Sequence, residues 1–200
     1  MKQNQIDQII AQLKNQSISF DRGLSSEEIY RIKKQFEIVF PADLKMFLCA
    51  ALPVNPGFVH WRYALNSEKG KAELERRLNA PLEGLLFDIK HNSFWFKHWG
   101  TQPDSFEEKK RVVIDDMARQ PLLIPIYSHR YMPSAPTEPG NPVYSVYQTD
   151  IIRYGVDLID YFKNEFGVAG LHPQNFSHTE KRIDFWDDLV DFNNSQEGNN

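Results

Sequence analysis

The chain has 200 residues, 41% of them hydrophobic and 25% charged, with a net charge of −4. Its aromatic share of 13%, with 14 Phe, 8 Tyr and 4 Trp, supplies the core of one folded domain and excludes a mainly disordered chain. No apolar run reaches the roughly 18–20 residues of a membrane span. No signal-peptide core follows the polar start, and the single Cys49 permits no internal disulfide, so a cytoplasmic protein without membrane contact is expected.

Ile6, Ile9, Ile10 and Leu13 recur at helical spacing and predict an amphipathic helix over 4–14. Ser25 and Glu28 form a capping box for a second helix, whose stripe is Ile29, Ile32 and Phe36. Pro41 starts a third helix within its first turn, with Leu44, Phe47 and Leu48 inward, so 25–50 reads as an αα-hairpin. Residues 58–63 suit a short strand, and 67–79 a charged surface helix. A further helix begins at Pro81 and runs through Leu82, Leu85, Leu86, Ile89 and the aromatic 94–99 stretch until Gly100. Asp104 and Glu107 cap the next, which faces Phe106, Val113, Ile114 and Met117 inward.

At Pro121 the pattern changes. Leu122 to Tyr127 is an apolar run of strand length, and Pro125 assigns it to an edge or a bulge. Residues 134–142 are turn formers, 143–147 a second strand and 151–154 a third. Leu158, Ile159, Phe162 and Phe166 make a helix ending at Gly167, and Ile183, Trp186, Leu189 and Val190 a last one over 180–191. Residues 193–200 should fray. Strands grouped between groups of helices predict an α+β fold, a small, mostly antiparallel sheet against several helices. The sheet from 121–154 should pack on the 25–50 hairpin and the 157–166 helix. The expected core is Ile29, Ile32, Phe36, Leu44, Phe47, Leu48, Leu122, Ile124, Val146, Ile151, Leu158 and Phe162.

Charge is unevenly placed. From Glu180 onward six acids face two bases, which leaves 21 of each before it. A neutral body gives phosphates nothing to bind, so a nucleic-acid partner is not expected. The acidic 180–191 helix reads as a solvated face or as a docking element for a basic partner.

Chemistry-bearing constellations are sparse. His91, Trp95 and His98 would share one helical face, but two imidazoles two turns apart lie about 10 Å apart along the axis, and no further ligand completes a metal site. His129 as a base, Arg130 as an anion clamp and Asp150 as the imidazole's orienting acid would suit a small hydrolase. No nucleophile elbow, phosphate loop or glycine fingerprint accompanies them. Asp115 and Asp116 point apart on a helix, and Cys49, on the core-facing helix, reads as buried and inert. No catalytic residue, metal ligand or cofactor is therefore assigned.

Two blocks of sequence carry a resemblance. The first is Leu24-Ser25 followed by Glu28-Ile29, then Phe40-Pro41-Ala42-Asp43-Leu44-Lys45 and Phe47-Leu48. The second is Leu123-Ile124-Pro125-Ile126-Tyr127-Ser128-His129-Arg130-Tyr131-Met132-Pro133, then Gly140-Asn141-Pro142-Val143-Tyr144-Ser145-Val146-Tyr147-Gln148-Thr149-Asp150-Ile151-Ile152. Together they resemble the SUKH superfamily, which includes the yeast regulator of cell-wall glucan synthesis and bacterial immunity proteins encoded beside polymorphic toxins. The chain departs from that pattern at 50–53, where many members have an Asn/Gly turn, in a longer 67–119 segment and in the 180–191 helix. The resemblance implies three parts: an N-terminal helical extension 1–23, a SUKH-like domain 24–166, and a C-terminal acidic helix and tail 167–200. It also implies a non-enzymatic immunity protein, which needs no cofactor and neutralises a cognate toxin domain, often a nuclease, by direct contact. A signalling or cell-wall scaffold is the alternative from the eukaryotic members. Partner-facing candidates are Tyr127, His129, Arg130, Tyr131, Tyr147 and Asp150, because Tyr and Arg bring large amphipathic contact area for little entropy.

Overall fold

The computed structural model describes residues 1–171 and 180–197. Among them eight α-helices and six strands form an α+β fold. Helix α1 (Gln3–Asn15) buries Ile6, Ile9, Ile10 and Leu13 and packs on α3 (Ala42–Ala50). Gln12 fastens it further, its amide both donating to Ala169 O and accepting from Ala169 N at 2.8 Å. In α2 (Ser26–Phe36) the capping box forms as expected: Glu28 N donates to Ser25 Oγ at 3.1 Å, and Ser25 N to Glu28 Oε2 at 2.8 Å. Pro41 stands one position outside α3, as its N-cap in extended geometry. Two strands absent from the sequence reading, β1 (Phe20–Arg22) and β2 (Ala51–Pro53), pair antiparallel; three residues are too few to show an alternation.

Several expectations are corrected. Residues 58–63 are not a strand. Phe58 makes a single bridge to Tyr127, and the chain then turns into α4 (Trp61–Asn66), whose buried Trp61, Ala64 and Leu65 follow helical spacing. The charged segment and the Pro81 segment are one 24-residue helix, α5 (Glu68–His91). It ends at His91 rather than Gly100, because Asp88 terminates it. The Asp88 carbonyl accepts from Asn92 N and Phe94 N, and its carboxylate from Asn92 Nδ2. Residues 97–99 are only a 3₁₀ turn. His91 and His98 therefore share no helical face: the His91 ring lies tilted against Phe87, and His98 Nδ1 is 3.3 Å from Asp188 Oδ2. Helix α6 (Phe106–Met117) is capped by Ser105 and Glu108, one residue later than read, and Ile114 is exposed. Cys49 is also exposed.

The main sheet is an antiparallel meander, β3 (Leu123–Tyr127), β4 (Arg130–Pro133), β5 (Val143–Tyr147) and β6 (Asp150–Gly155), in that order. Strand β4 was not foreseen. Pro125 stands on an edge strand and beside a register shift, so both of its expected consequences occur. Antiparallel sheets often leave one face to water; this one is covered on both. Ile124, Ile126, Met132 and Val143 join a core with α1 to α4 and with α7 (Leu158–Phe166). Leu123, Tyr131, Tyr144, Val146 and Ile151 join a second core with α5, α6 and α8 (Asp184–Glu197). The sequence reading lacked this second layer. Ten of the twelve expected core residues are buried, while Ile29 and Leu122 pack at the margin.

Helix α8 begins four residues later than expected and runs into the stretch expected to fray, of which 198–200 lie outside the described residues. Its extension is held by Phe192 against Phe94 and Phe96 and by Asn193 Nδ2 donating to Thr149 O.

Candidate functional site

A groove of about 900 Å³ opens where α5, the 56–60 loop and the sheet's two hairpin turns meet. Its shape depends on three local arrangements. Arg77 spans the two loops, donating from Nη1 to Gly57 O at 3.1 Å and from Nη2 to Ser128 O at 3.0 Å. Gly57 sits at φ +99, and a Cβ there would meet the Tyr127 ring at 2.5 Å, so glycine is required on two counts.

The second arrangement explains a proline inside α5. Pro81 has no N–H, so the carbonyl of Arg77, four residues earlier, lacks its helical donor. Tyr131 Oη donates to that carbonyl at 3.1 Å from across the groove. Tyr131 is only 4% exposed, and burial pushes its phenol up against the opposing pull of Arg77 and Arg76.

Thirdly, the β5–β6 turn is docked on α5. Gly84 lets the backbone of Gln148 approach to where a Cβ would stand, 2.7 Å from its Cα. One turn along the helix, the buried Asp88 carboxylate accepts from Thr149 N at 2.9 Å and Thr149 Oγ1 at 2.6 Å.

The sequence candidates divide on this geometry. His129, Tyr131 and Tyr147 line the groove, and Tyr147 is 67% exposed. Tyr127 stands behind it, packed between Phe58 and Phe166. Arg130 turns away from the groove. Its Nε donates to Glu165 Oε2 at 2.8 Å, its Nη1 to Ser145 Oγ at 2.7 Å, and its guanidinium lies 3.8 Å over the Tyr154 ring. Asp150 is exposed at the start of β6 and makes no hydrogen bond to His129 among the described residues. Arg76, Arg77, His60 and Tyr63 also line the groove and escaped the sequence reading, which took 67–79 for a plain surface helix.

The His129 ring has both nitrogens engaged. Arg130 Nη1 lies against Nε2, and Ser128 Oγ is 3.1 Å from Nδ1. A guanidinium only donates, so Nε2 is the acceptor at the Arg130 contact. Partial burial and Arg130 hold the imidazole below its ordinary pKa, against weaker pulls from Glu165 and Asp150. The arrangement offers aromatic faces and a fixed cationic donor in Arg77.

Four of the C-terminal acids lie elsewhere and are already paired. Asp187 takes Arg153 at 2.8 Å, Glu180 takes the same guanidinium at 3.0 Å, and Arg182 holds Asp188 and Asp191. Among the described residues no three metal-ligating side chains assemble, and no helix is long and apolar enough to cross a membrane. No protein-family model matches the chain, and neither does any curated protein or solved structure.

Proposed function

We propose that this chain is a non-enzymatic binding protein of the immunity type, acting in the cytoplasm, which neutralises a toxin domain by seating part of it in the groove. The observation that carries the reading is the groove itself. Exposed Tyr63 and Tyr147 and the exposed Arg76 stand on walls fixed by Arg77, Pro81–Tyr131 and Asp88. Tyrosine and arginine on a fixed frame are the residue types that anchor inhibitor interfaces. The resemblance of 123–133 and 140–152 to the SUKH superfamily supports the same reading, because those residues supply β3 to β6 and one wall of the groove.

Co-expression with the toxin domain encoded beside this chain tests it. Restored growth and a stoichiometric complex are expected, with rescue lost in Tyr147→Ala or Arg76→Ala while the thermal midpoint stays unchanged. A toxin that kills equally with and without this chain, and forms no complex, would remove it as the target. Turnover of ester or phosphodiester reporters that vanishes in a folded His129→Ala variant would refute the non-enzymatic reading.

A further inference from the structure

We propose that the groove accepts an acidic segment of its protein partner, a loop or strand whose carboxylates meet Arg76 and Arg77. This deepens the binding reading and rests on it. Elsewhere most guanidinium groups meet carboxylates, among them Arg62 to Glu28, Arg130 to Glu165, Arg153 to Asp187 and Arg182 to Asp188, whereas Arg31 bonds Leu65 O and Asn66 Oδ1 and Arg111 is exposed without an ion pair among the described residues. In the groove two neighbouring guanidinium groups lack a carboxylate hydrogen-bond partner. Both hydrogen-bond partners of Arg77 are backbone carbonyls, so no carboxylate hydrogen-bonds its guanidinium among the described residues. Arg76, exposed on the same helix, makes no hydrogen bond or ion pair among the described residues. Among the described residues Glu73 is the single carboxylate lining the site. A chain with a net charge of −4 thus keeps positive charge in this open groove. Burial lowers the Arg77 pKa, opposed by Tyr131 and Glu73 and assisted by Arg76.

The chemistry selects a carboxylate partner of peptide kind. A guanidinium presents a planar fork that matches a carboxylate, and Tyr63 and Tyr147 give flanking faces for its neighbours. A nucleic acid would ask for more. Specific phosphate tracking uses about six to ten cationic contacts, against two arginines here on a net-negative body. The sign of the groove also reverses the simplest picture of an acidic inhibitor entering a basic nuclease cleft: here the inhibitor supplies the cations.

The test uses the full chain, isotope-labelled, titrated with capped hexaglutamate, capped hexalysine and a single-stranded hexanucleotide at low and high salt. Amide shifts with hexaglutamate should be confined to 57–63, 73–84, 128–129 and 146–148, and should fade at high salt. Arg76→Glu should weaken that binding about fivefold or more, while Arg111→Glu, exposed on α6, leaves it unchanged. Absent or scattered shifts, equal shifts with hexalysine, or stronger groove shifts with the hexanucleotide would overturn the proposal. The two readings fail separately. Toxin rescue by the unaltered chain, lost in Tyr147→Ala, with hexaglutamate silent removes the acidic occupant alone. Hexaglutamate seated in the groove of a chain that rescues nothing supports this inference and removes the toxin.

Discussion

Replacing Glu28 by Gln probes the junction of α2, α4 and β1. Arg62 Nε donates to Glu28 Oε1 at 2.6 Å, and the same guanidinium donates from Nη2 to Gly23 O at 2.7 Å. Ser25 N adds a bond at 2.8 Å, and Arg22 closes from the solvent side at 3.3 Å. The Arg62 hydrogen bond, opposed by burial and helped by Ser25 N, brings the carboxyl from 4.5 down to about 2. At 1.36 kcal/mol per unit that difference is worth ~3 kcal/mol of folding stability. Arg22 is 70% exposed, so water screens one side of the cluster, and about half of that value, ~1.5 kcal/mol, is the working expectation for the charge. The folded carboxyl releases its proton more readily than the unfolded one. Its contribution is therefore complete above about pH 4.5 and disappears as pH falls toward about 2. Glu28→Gln should lower the neutral-pH thermal midpoint by about 3–6 °C. Urea unfolding followed by circular dichroism, wild type beside variant, should show the gap closing between about pH 4.5 and pH 3. A gap of constant size over that range, or one below about 0.5 kcal/mol at neutral pH, would refute the ion-pair account.

Three further outcomes follow from the packing. Phe47, 1% exposed and packed on Phe162 at 4.8 Å, should cost about 3–5 kcal/mol as Phe47→Ala in denaturant midpoints. Gly84→Ala should cost about 1–3 kcal/mol, because the new methyl meets the Gln148 backbone; a neutral result would mean that the β5–β6 turn does not rest on α5. Tyr131→Phe should cost about 1 kcal/mol, and less in a Pro81→Ala background, where the restored N–H serves the Arg77 carbonyl. Equal costs in the two backgrounds would separate the tyrosine from the proline.

Legibility followed the range of the interaction. The Ser25 cap, the Ile6 to Leu13 stripe and the helix ending at Gly167 are set by neighbours within one or two turns, and each was readable. A proline normally starts a helix, so the sequence alone places a helix start at Pro81. What keeps it inside α5 is a donor on Tyr131, 50 residues away in sequence and invisible to any local window. Strand β4 is four residues bounded by Arg130 and Pro133, buried on both faces, so it shows neither alternation nor a long apolar run. The candidate site shows the same division. Tyr131, His129 and Tyr147 attracted notice by residue type, and the groove contains all three. Arg130 attracted the same notice and faces Glu165, since nothing in the sequence says which side of a sheet a long side chain will find its acid. Arg76 and Arg77 looked ordinary among the charges of 67–79, although they give the groove its sign.

The sheet covered on both faces divides the tryptophans. Trp61 lies on one side, edge-on to Phe40 at 5.0 Å, while Trp95, Trp99 and Trp186 belong to the other. Indole emission therefore has two origins with a β-layer between them, and Trp61→Phe leaves only the far side to be seen. Unfolding curves from that variant and from the intact chain coincide only when loss of packing on one face of the sheet is felt at once on the other.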